Sequence, residues 1–343
     1  MILRRKLCNI ERMFNINKNR TERIFSSPFF VYSGLIVFIL IASYLSLKFG
    51  GAGSIDDSAT GSLILWEIRY PRLIASLLIG AALSLSGYIF QTVLKNPLAD
   101  PYVLGISSGA ALGIALYITF STYIFTLATQ ASAFVGAIFT LLILLVMFRF
   151  LLHNTVVVVL TGVGISFFFA SIITLLLSYM EGNKLVYMSS WLIGNISQPE
   201  MKDLYVLGFV LLISTLLIYV FSNALDVIQF GEDFAVSSGL NTKSFTALFL
   251  ILASILAASS VAVCGTLGFV GLVIPHISRL IFKGRASGMI PIVLLFGAGF
   301  LTLCNAIAGM LSFNVEVPVG AVTSFIGAPV LIYLIFRKYK ARG

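Results

Sequence analysis

Two arginines stand three residues apart in Arg69-Tyr70-Pro71-Arg72, at the head of an apolar run that continues to about residue 94. Residues three apart share one side of a helix, so the two guanidinium groups project together. Such a pair has two uses. It can hold lipid phosphates at a membrane surface, or it can form an electrostatic socket for an acidic partner. The residues alone leave both open. The run then breaks at Lys95-Asn96-Pro97-Leu98 and restarts on small residues through Gly109 and Gly113. Pro97 lacks an N–H and clashes with a preceding turn, so it ends a helix and frees backbone that can line a pore.

Other chemistries are excluded by what the chain lacks. There is no Gly-x-x-x-x-Gly-Lys phosphate loop and no His-Glu-x-x-His zinc motif. The three cysteines, Cys8, Cys264 and Cys304, are far apart and show neither metal spacing nor a disulfide pattern. Of the two histidines, His276 lies in Ile274-Pro275-His276-Ile277-Ser278-Arg279, where it reads as a hydrogen-bonding residue near a helix end. Ion-coupled carriers place carboxylates at mid-membrane. Here Asp226, Glu232 and Asp233 fall in a loop and Glu316 at the end of a run.

The elements that carry these residues are membrane spans. The chain has 343 residues, of which 59% are hydrophobic and 10% charged, against about 25% charged in soluble domains. It cannot cover a globular surface with polar groups. The reading is an all-α polytopic membrane protein with about ten transmembrane helices near 29–49, 70–94, 103–127, 131–151, 156–179, 201–221, 244–263, 267–282, 288–310 and 317–336. The first is read as a retained span, because it follows a long basic tail and lacks a cleavage site. A basic tail over 1–28 precedes one membrane domain, 29–337, and a second tail, 338–343, ends the chain. With the N-terminus inside, seventeen Lys and Arg face the cytoplasm and five face outward. That bias puts both termini in the cytoplasm and makes the number of spans even. Basic tails beside apolar spans mark topology here, not nucleic-acid binding.

The longest polar stretch on the expected cytoplasmic side is 226–243. Glu232 and Asp233 precede Phe234-Ala235-Val236, which predicts a short helix with acids at its start, where the helix dipole favours them. Gly239 would end it. Such an element either lies in the membrane interface or docks another protein.

Four passages resemble one family, the FecCD/BtuC-type permeases of type II ABC importers. Arg69-Tyr70-Pro71-Arg72 with Gly80-Ala81-Ala82-Leu83 and Gly87 is similar to its second span. Asn96-Pro97-Leu98-Ala99-Asp100-Pro101 through Gly105 is similar to the loop that follows. Gly268-Phe269-Val270-Gly271 with Pro275-His276 and Arg279 resembles its eighth span, and Pro318-Val319-Gly320 with Gly327-Ala328-Pro329 its tenth. The resemblance implies a permease in the cytoplasmic (inner) membrane of a prokaryote, in contact with lipid. It would carry an iron-siderophore, haem or cobalamin, or a small oxyanion such as molybdate. An ion-coupled secondary carrier is the reading from another class. The resemblance further implies a second permease copy, two cytoplasmic ATPase subunits and an extracytoplasmic substrate-binding protein. No cofactor is expected on this chain; ATP and Mg belong to the partner subunits. By position, Arg69 and Arg72 would dock the binding protein. Asn96, Pro97, Leu98, Thr155 and Val156 would form the cytoplasmic gate. Gly231, Glu232, Asp233, Ala235, Gly239 and Leu240 would couple to the ATPase. One departure stands out: the family's Asp and Arg, four apart in the ninth span, are Asn305 and Gly309 here.

Overall fold

The computed structural model describes residues 28–49, 64–122, 126–150, 155–196, 199–230, 238–282, 284–312 and 316–340. Among these residues every regular element is helical. The helices are α1 (Pro28–Phe49), α2 (Tyr70–Val93), α3 (Ile106–Phe120), α4 (Thr126–Phe150), α5 (Thr155–Ser178) and α6 (Asn183–Ile193). They continue as α7 (Met201–Val220), α8 (Ser222–Phe230), α9 (Thr242–Cys264), α10 (Val270–Ile281), α11 (Ala286–Leu311) and α12 (Val319–Lys340). A π-helical turn, Ile64–Arg69, leads directly into α2. Pro71 lies at the start of α2, where a missing N–H breaks no helical bond.

Among the described residues, seven helices are long and apolar enough to cross a membrane: Phe30–Phe49, Ile64–Val93, Ala128–Phe148, Val156–Ser178, Met201–Val220, Thr242–Cys264 and Ala286–Leu311. Three shorter apolar helices, Ile106–Phe120, Val270–Ile281 and Val319–Leu334, complete a set that coincides with the ten expected spans. Two spans are shorter than the sequence suggested. Helix α3 covers 15 residues where 103–127 was expected, and α10 covers 12 where 267–282 was expected. At 1.5 Å per residue those helices reach only about 22 and 18 Å, short of a hydrocarbon core of about 30 Å. Non-helical backbone at 95–105 and 265–269 leads into each of them. That is tolerated in lipid only where protein buries it, and Ala99, Asp100, Leu104 and Leu267 are all buried. Two helices were not expected at all: α6, which is amphipathic and too short to span, and α8.

Helix α2 is the axis of the bundle. It is buried along nearly its whole length and packs against α9, α10 and α11, while α11 also carries α1. Small residues make this possible. A Cβ on Gly87 would overlap the Gly271 backbone of α10, so these two helices touch main chain to main chain. Hydroxyls add cross-links: Ser76 and Thr302 are paired at 3.0 Å, and Ser86 donates to the Ala253 carbonyl at 2.6 Å. Close approach and such bonds are what drive helix association in lipid, where burial of apolar surface gains little.

Candidate functional site

Arg69 and Arg72 lie at the start of α2, but both side chains are buried, at 2% and 6% exposure. The expectation of two freely projecting guanidinium groups is corrected accordingly. Arg69 Nη1 donates to the carbonyls of Leu47 and Lys48, at 2.7 and 3.0 Å. These are orphan carbonyls at the C-terminal end of α1, where a cation also meets the negative end of the helix dipole. Arg72 Nε donates to the Ile196 carbonyl at 2.6 Å, and Nη2 forms an ion pair with Glu316. Arg69 thus pins α1 to α2. Arg72 gathers the start of α2, the strand of backbone after α6 and the approach to α12.

That end of the bundle is stitched further by backbone. Asn195 N–H donates to the Cys264 carbonyl at 2.9 Å, and Gly320 N–H to the Gly194 carbonyl at 3.0 Å. Thr266 Oγ1 donates to the Leu192 carbonyl. Gly320 has to be glycine for this contact, because a Cβ there would overlap the Ile193 carbonyl. Lys184 Nζ, on α6, reaches the Ser121 carbonyl at the end of α3, at 2.6 Å.

The segment 95–105 begins at the opposite end of α2 and folds inward. Lys95 takes a positive φ of 49°. Asn96 Oδ1 accepts from Leu98 N–H at 2.9 Å, and Ala99 N–H donates to the Asn96 carbonyl at 3.1 Å. Asp100 repeats the device, its Oδ1 accepting from Tyr102 N–H at 2.6 Å. Asn and Asp side chains satisfy their own backbone in such turns, so the segment needs no helix to bury itself. Asn96 is partly buried, while Pro97 and Leu98 are exposed. Thr155 is the first residue of α5 and Val156 is exposed beside it. About two turns further along α5, the Leu104 backbone of the inserted segment abuts Gly162.

A cavity of about 440 Å³ lies between the two regions. Asp100, Tyr102 and Val103 of the inserted segment form one wall. Ile193, Thr266, Phe269, Gly320 and Ser324 contribute to the others. Phe269 adopts φ 68° just before α10, an outlier for a bulky residue. A Cβ on Gly327 of α12 would overlap the Phe269 side chain.

At the Lys95 end, Arg279 of α10 donates to Gln91 Oε1 at 3.1 Å and to Thr92 Oγ1 at 2.9 Å, and lies over the Tyr88 ring. Asp226 of α8 accepts from Ala286 N–H at 2.7 Å and so caps α11 from a neighbouring helix. Burial pushes its carboxyl above the ordinary carboxylate range; the bond from Ala286 and the charge of Arg285 counter this in part. Of the residues expected to couple to an ATPase, Gly231, Glu232, Asp233 and Ala235 lie outside the described residues. Gly239 takes a positive φ of 73°, the conformation a helix-ending glycine adopts, and Leu240 precedes the start of α9.

Comparison with known proteins identifies the architecture. The model of the FecCD transport family matches residues 24–337. This chain belongs to the FecCD transport family. A Helicobacter pylori relative, named as a probable iron chelatin transport system permease protein, is 36% identical over 282 residues, covering 82% of this chain and 85% of its own. The vitamin B12 import system permease protein of Citrobacter koseri is 34% identical over 310 residues, covering 89% and 93%. A solved structure described as an inward-facing conformation of a metal-chelate type ABC transporter superposes with a TM-score of 0.80 at 27% identity. It covers 90% of this chain and 99% of that one.

In this FecCD-family chain, Asn305 stands where the resemblance expects an acid. It is buried and donates to Ser46 Oγ of α1 at 3.1 Å, one residue from the Leu47 carbonyl that Arg69 grips. A neutral amide thus joins α11 to α1 at the position where the resemblance expects that acid. Sequence reasoning did not assign roles to Glu316, Gln91 or Asp226. Each is a polar residue set in or beside an apolar run, which is the only signal they give; their partners lie 244, 188 and 60 residues away.

Proposed function

We propose that this chain is the permease subunit of an ATP-driven importer that moves a metal chelate, an iron-siderophore, haem or cobalamin, into a prokaryotic cell. The observation that carries this reading is the match along nearly the whole fold to a metal-chelate type ABC transporter. In this reading both termini face the cytoplasm of the inner membrane, as the distribution of Lys and Arg favours. The Arg69 end is then the outer face and the Lys95 end the inner one. Two copies surround a path, two ATPase subunits dock near 231–240, and a substrate-binding protein docks at the outer end around Arg69 and Arg72. The turn at Asn96-Pro97-Leu98 and the start of α5 at Thr155-Val156 form the inner gate. ATP hydrolysis belongs to the partner subunits, and the path alternates between outward- and inward-facing states.

The test is uptake by proteoliposomes that hold this chain with the ATPase and binding protein encoded beside it. ATP-dependent accumulation of ferric siderophore, haemin or cyanocobalamin is expected, unaffected by a proton ionophore, and the purified chain alone should hydrolyse no ATP. Molybdate uptake in place of chelate uptake would move the substrate class to oxyanions. Collapse of uptake by the ionophore with ATP present would overturn the ABC reading in favour of an ion-coupled carrier.

A further inference from the structure

Helix α8 is nine residues long, and five in a row, Ala224, Leu225, Asp226, Val227 and Ile228, are buried. Five successive positions go more than once around a helix of 3.6 residues per turn, so α8 is enclosed on every side. It packs against α2, α7, α9 and α11. A surface helix would bury one face only. At the centre of α8, Asp226 accepts from Ala286 N–H through Oδ1 at 2.7 Å, while its Oδ2 is buried without a hydrogen-bond partner among the described residues. That bond ties α8 to the first turn of α11, where backbone N–H groups have no partner within their own helix.

The stretch 231–237 is attached differently at its two ends. Before it, α8 is embedded and bonded through Asp226. After it, Gly239 is exposed with a positive φ of 73°, and a Cβ there would meet nothing within 4 Å. Asn241 is exposed and caps its own helix, accepting from Ser244 N–H at 3.3 Å. A displacement of the stretch is therefore absorbed by the loose turn on the α9 side and carried into the bundle on the α8 side. Helix α11 receives it there. Its 26 residues reach about 39 Å at 1.5 Å per residue, enough to cross a hydrocarbon core of about 30 Å. Near its far end Asn305 is bonded to Ser46 of α1, beside the carbonyls that Arg69 holds.

We propose that Asp226 is a positioning residue for transport: through Ala286 N–H it sets α11 to the state of the ATPase subunits, and α11 carries that state to the outer end. This rests on the reading of 231–240 as the stretch on which the ATPase docks. The bond at Ala286 keeps α8 and α11 in register, and the unpaired Oδ2 leaves the carboxylate able to turn about it.

The experiment uses the full transporter in proteoliposomes, with the ATPase and binding protein encoded beside this chain. It reads ATP hydrolysis together with uptake of whichever of ferric siderophore, haemin or cyanocobalamin the wild type accumulates. Asp226→Ala should keep the ATPase subunits bound and hydrolysing, yet lower uptake per ATP at least about fivefold, the low end of usual coupling between two sites. Asp226→Asn keeps an acceptor and should return that ratio to within about twofold of wild type, the usual margin for an uncoupled change. Ala286→Pro removes the donor instead. Proline suits the first position of a helix, and Arg285 before it already has the extended backbone that proline demands, φ −66° and ψ 157°. It should lower uptake per ATP as far as Asp226→Ala, the two together should go no further, and Asp226→Asn should not rescue it. Should the alanine variant misfold, the proline variant carries the test. Gln91→Leu, which weakens the α2–α10 contact, and Asn241→Ala, on the α9 side, should lower the melting temperature while leaving uptake per ATP unchanged. An unchanged ratio in both Asp226→Ala and Ala286→Pro would overturn the proposal, as would loss of the ATPase subunits from Asp226→Ala, which would make Asp226 a support for docking. Absence of ATP-dependent uptake by the wild type would instead remove the importer reading itself.

Discussion

Arg279 and Gln91 form the polar joint between α10 and α2. Arg279 Nη1 donates to Gln91 Oε1 at 3.1 Å, while Gln91 Nε2 donates to the Gly271 and Leu272 carbonyls at 3.3 and 3.1 Å. The amide is therefore used at both ends, and its orientation is fixed by its partners. Pro275 lies within α10 and removes one backbone donor there; side-chain bonds from α2 hold the carbonyls near the helix start. Hydrogen bonds to charged groups contribute about 1.5–3 kcal/mol. Arg279→Met and Gln91→Leu should each destabilise the folded chain by roughly that amount. Because they share one bond, the double variant should lose less than the sum of the two, by at least about 0.5 kcal/mol in a double-mutant cycle. Strict additivity would show that the pair is not coupled.

The α2–α10 contact makes a sharper steric prediction. A Cβ at Gly87 meets the Gly271 backbone, which cannot swing aside, whereas a Cβ at Gly164 on α5 meets nothing within 4 Å. Overpacking costs about 1–3 kcal/mol, and more where main chain must move. Gly87→Val should sharply reduce the yield of monodisperse protein in detergent, and Gly164→Ala should leave it unchanged. Equal yields for the two variants would contradict the close approach of the helices.

Arg69 makes a prediction about α1 alone. Loss of its bonds to Leu47 and Lys48 leaves carbonyls at the end of α1 without their cation. Arg69→Gln should lower stability by about 1–3 kcal/mol. It should also speed hydrogen exchange at the C-terminal turn of α1, with little change in α9 and α10, read by exchange mass spectrometry. Uniform exchange changes across the bundle would speak against a local pin.

Asp226 separates capping from charge. Asp226→Ala removes the acceptor for Ala286 N–H and should cost about 1 kcal/mol, the usual value of an N-cap. Asp226→Asn keeps an acceptor and removes the charge. Burial raises the folded-state pKa of Asp226 above its unfolded value, so the folded state holds the proton to higher pH. Stability from this group is fully present below the ordinary carboxylate range and declines as pH rises through the folded value. The asparagine variant lacks that decline. Its melting temperature relative to wild type should therefore rise between pH 4 and pH 7; a constant difference would show that the carboxylate is not strained by burial.

The sequence by itself determined the lipid setting, the ten apolar segments and the positions where they break. Those properties follow from local composition: apolar residues over about 20 positions, prolines that lack a donor, glycines that lack a side chain. The places where chemistry was expected were legible for the same reason, since Arg69, Arg72 and the Asn96-Pro97-Leu98 turn interrupt apolar runs. Tertiary structure decided what those residues do. Arg69 and Arg72 read as a projecting pair because helix spacing is local information, yet both are buried, because Leu47, Ile196 and Glu316 arrive from distant parts of the chain. The shortness of α3 and α10 was likewise hidden. Residues 103–105 read as part of the third span, and only the packing of the 95–105 segment against α5 and α10 shows that Asn96 and Asp100 turn the backbone inward there instead. Which carboxylate meets which cation in a bilayer is set by helix packing, and one sequence records that packing only as small residues at spacings that many arrangements would satisfy.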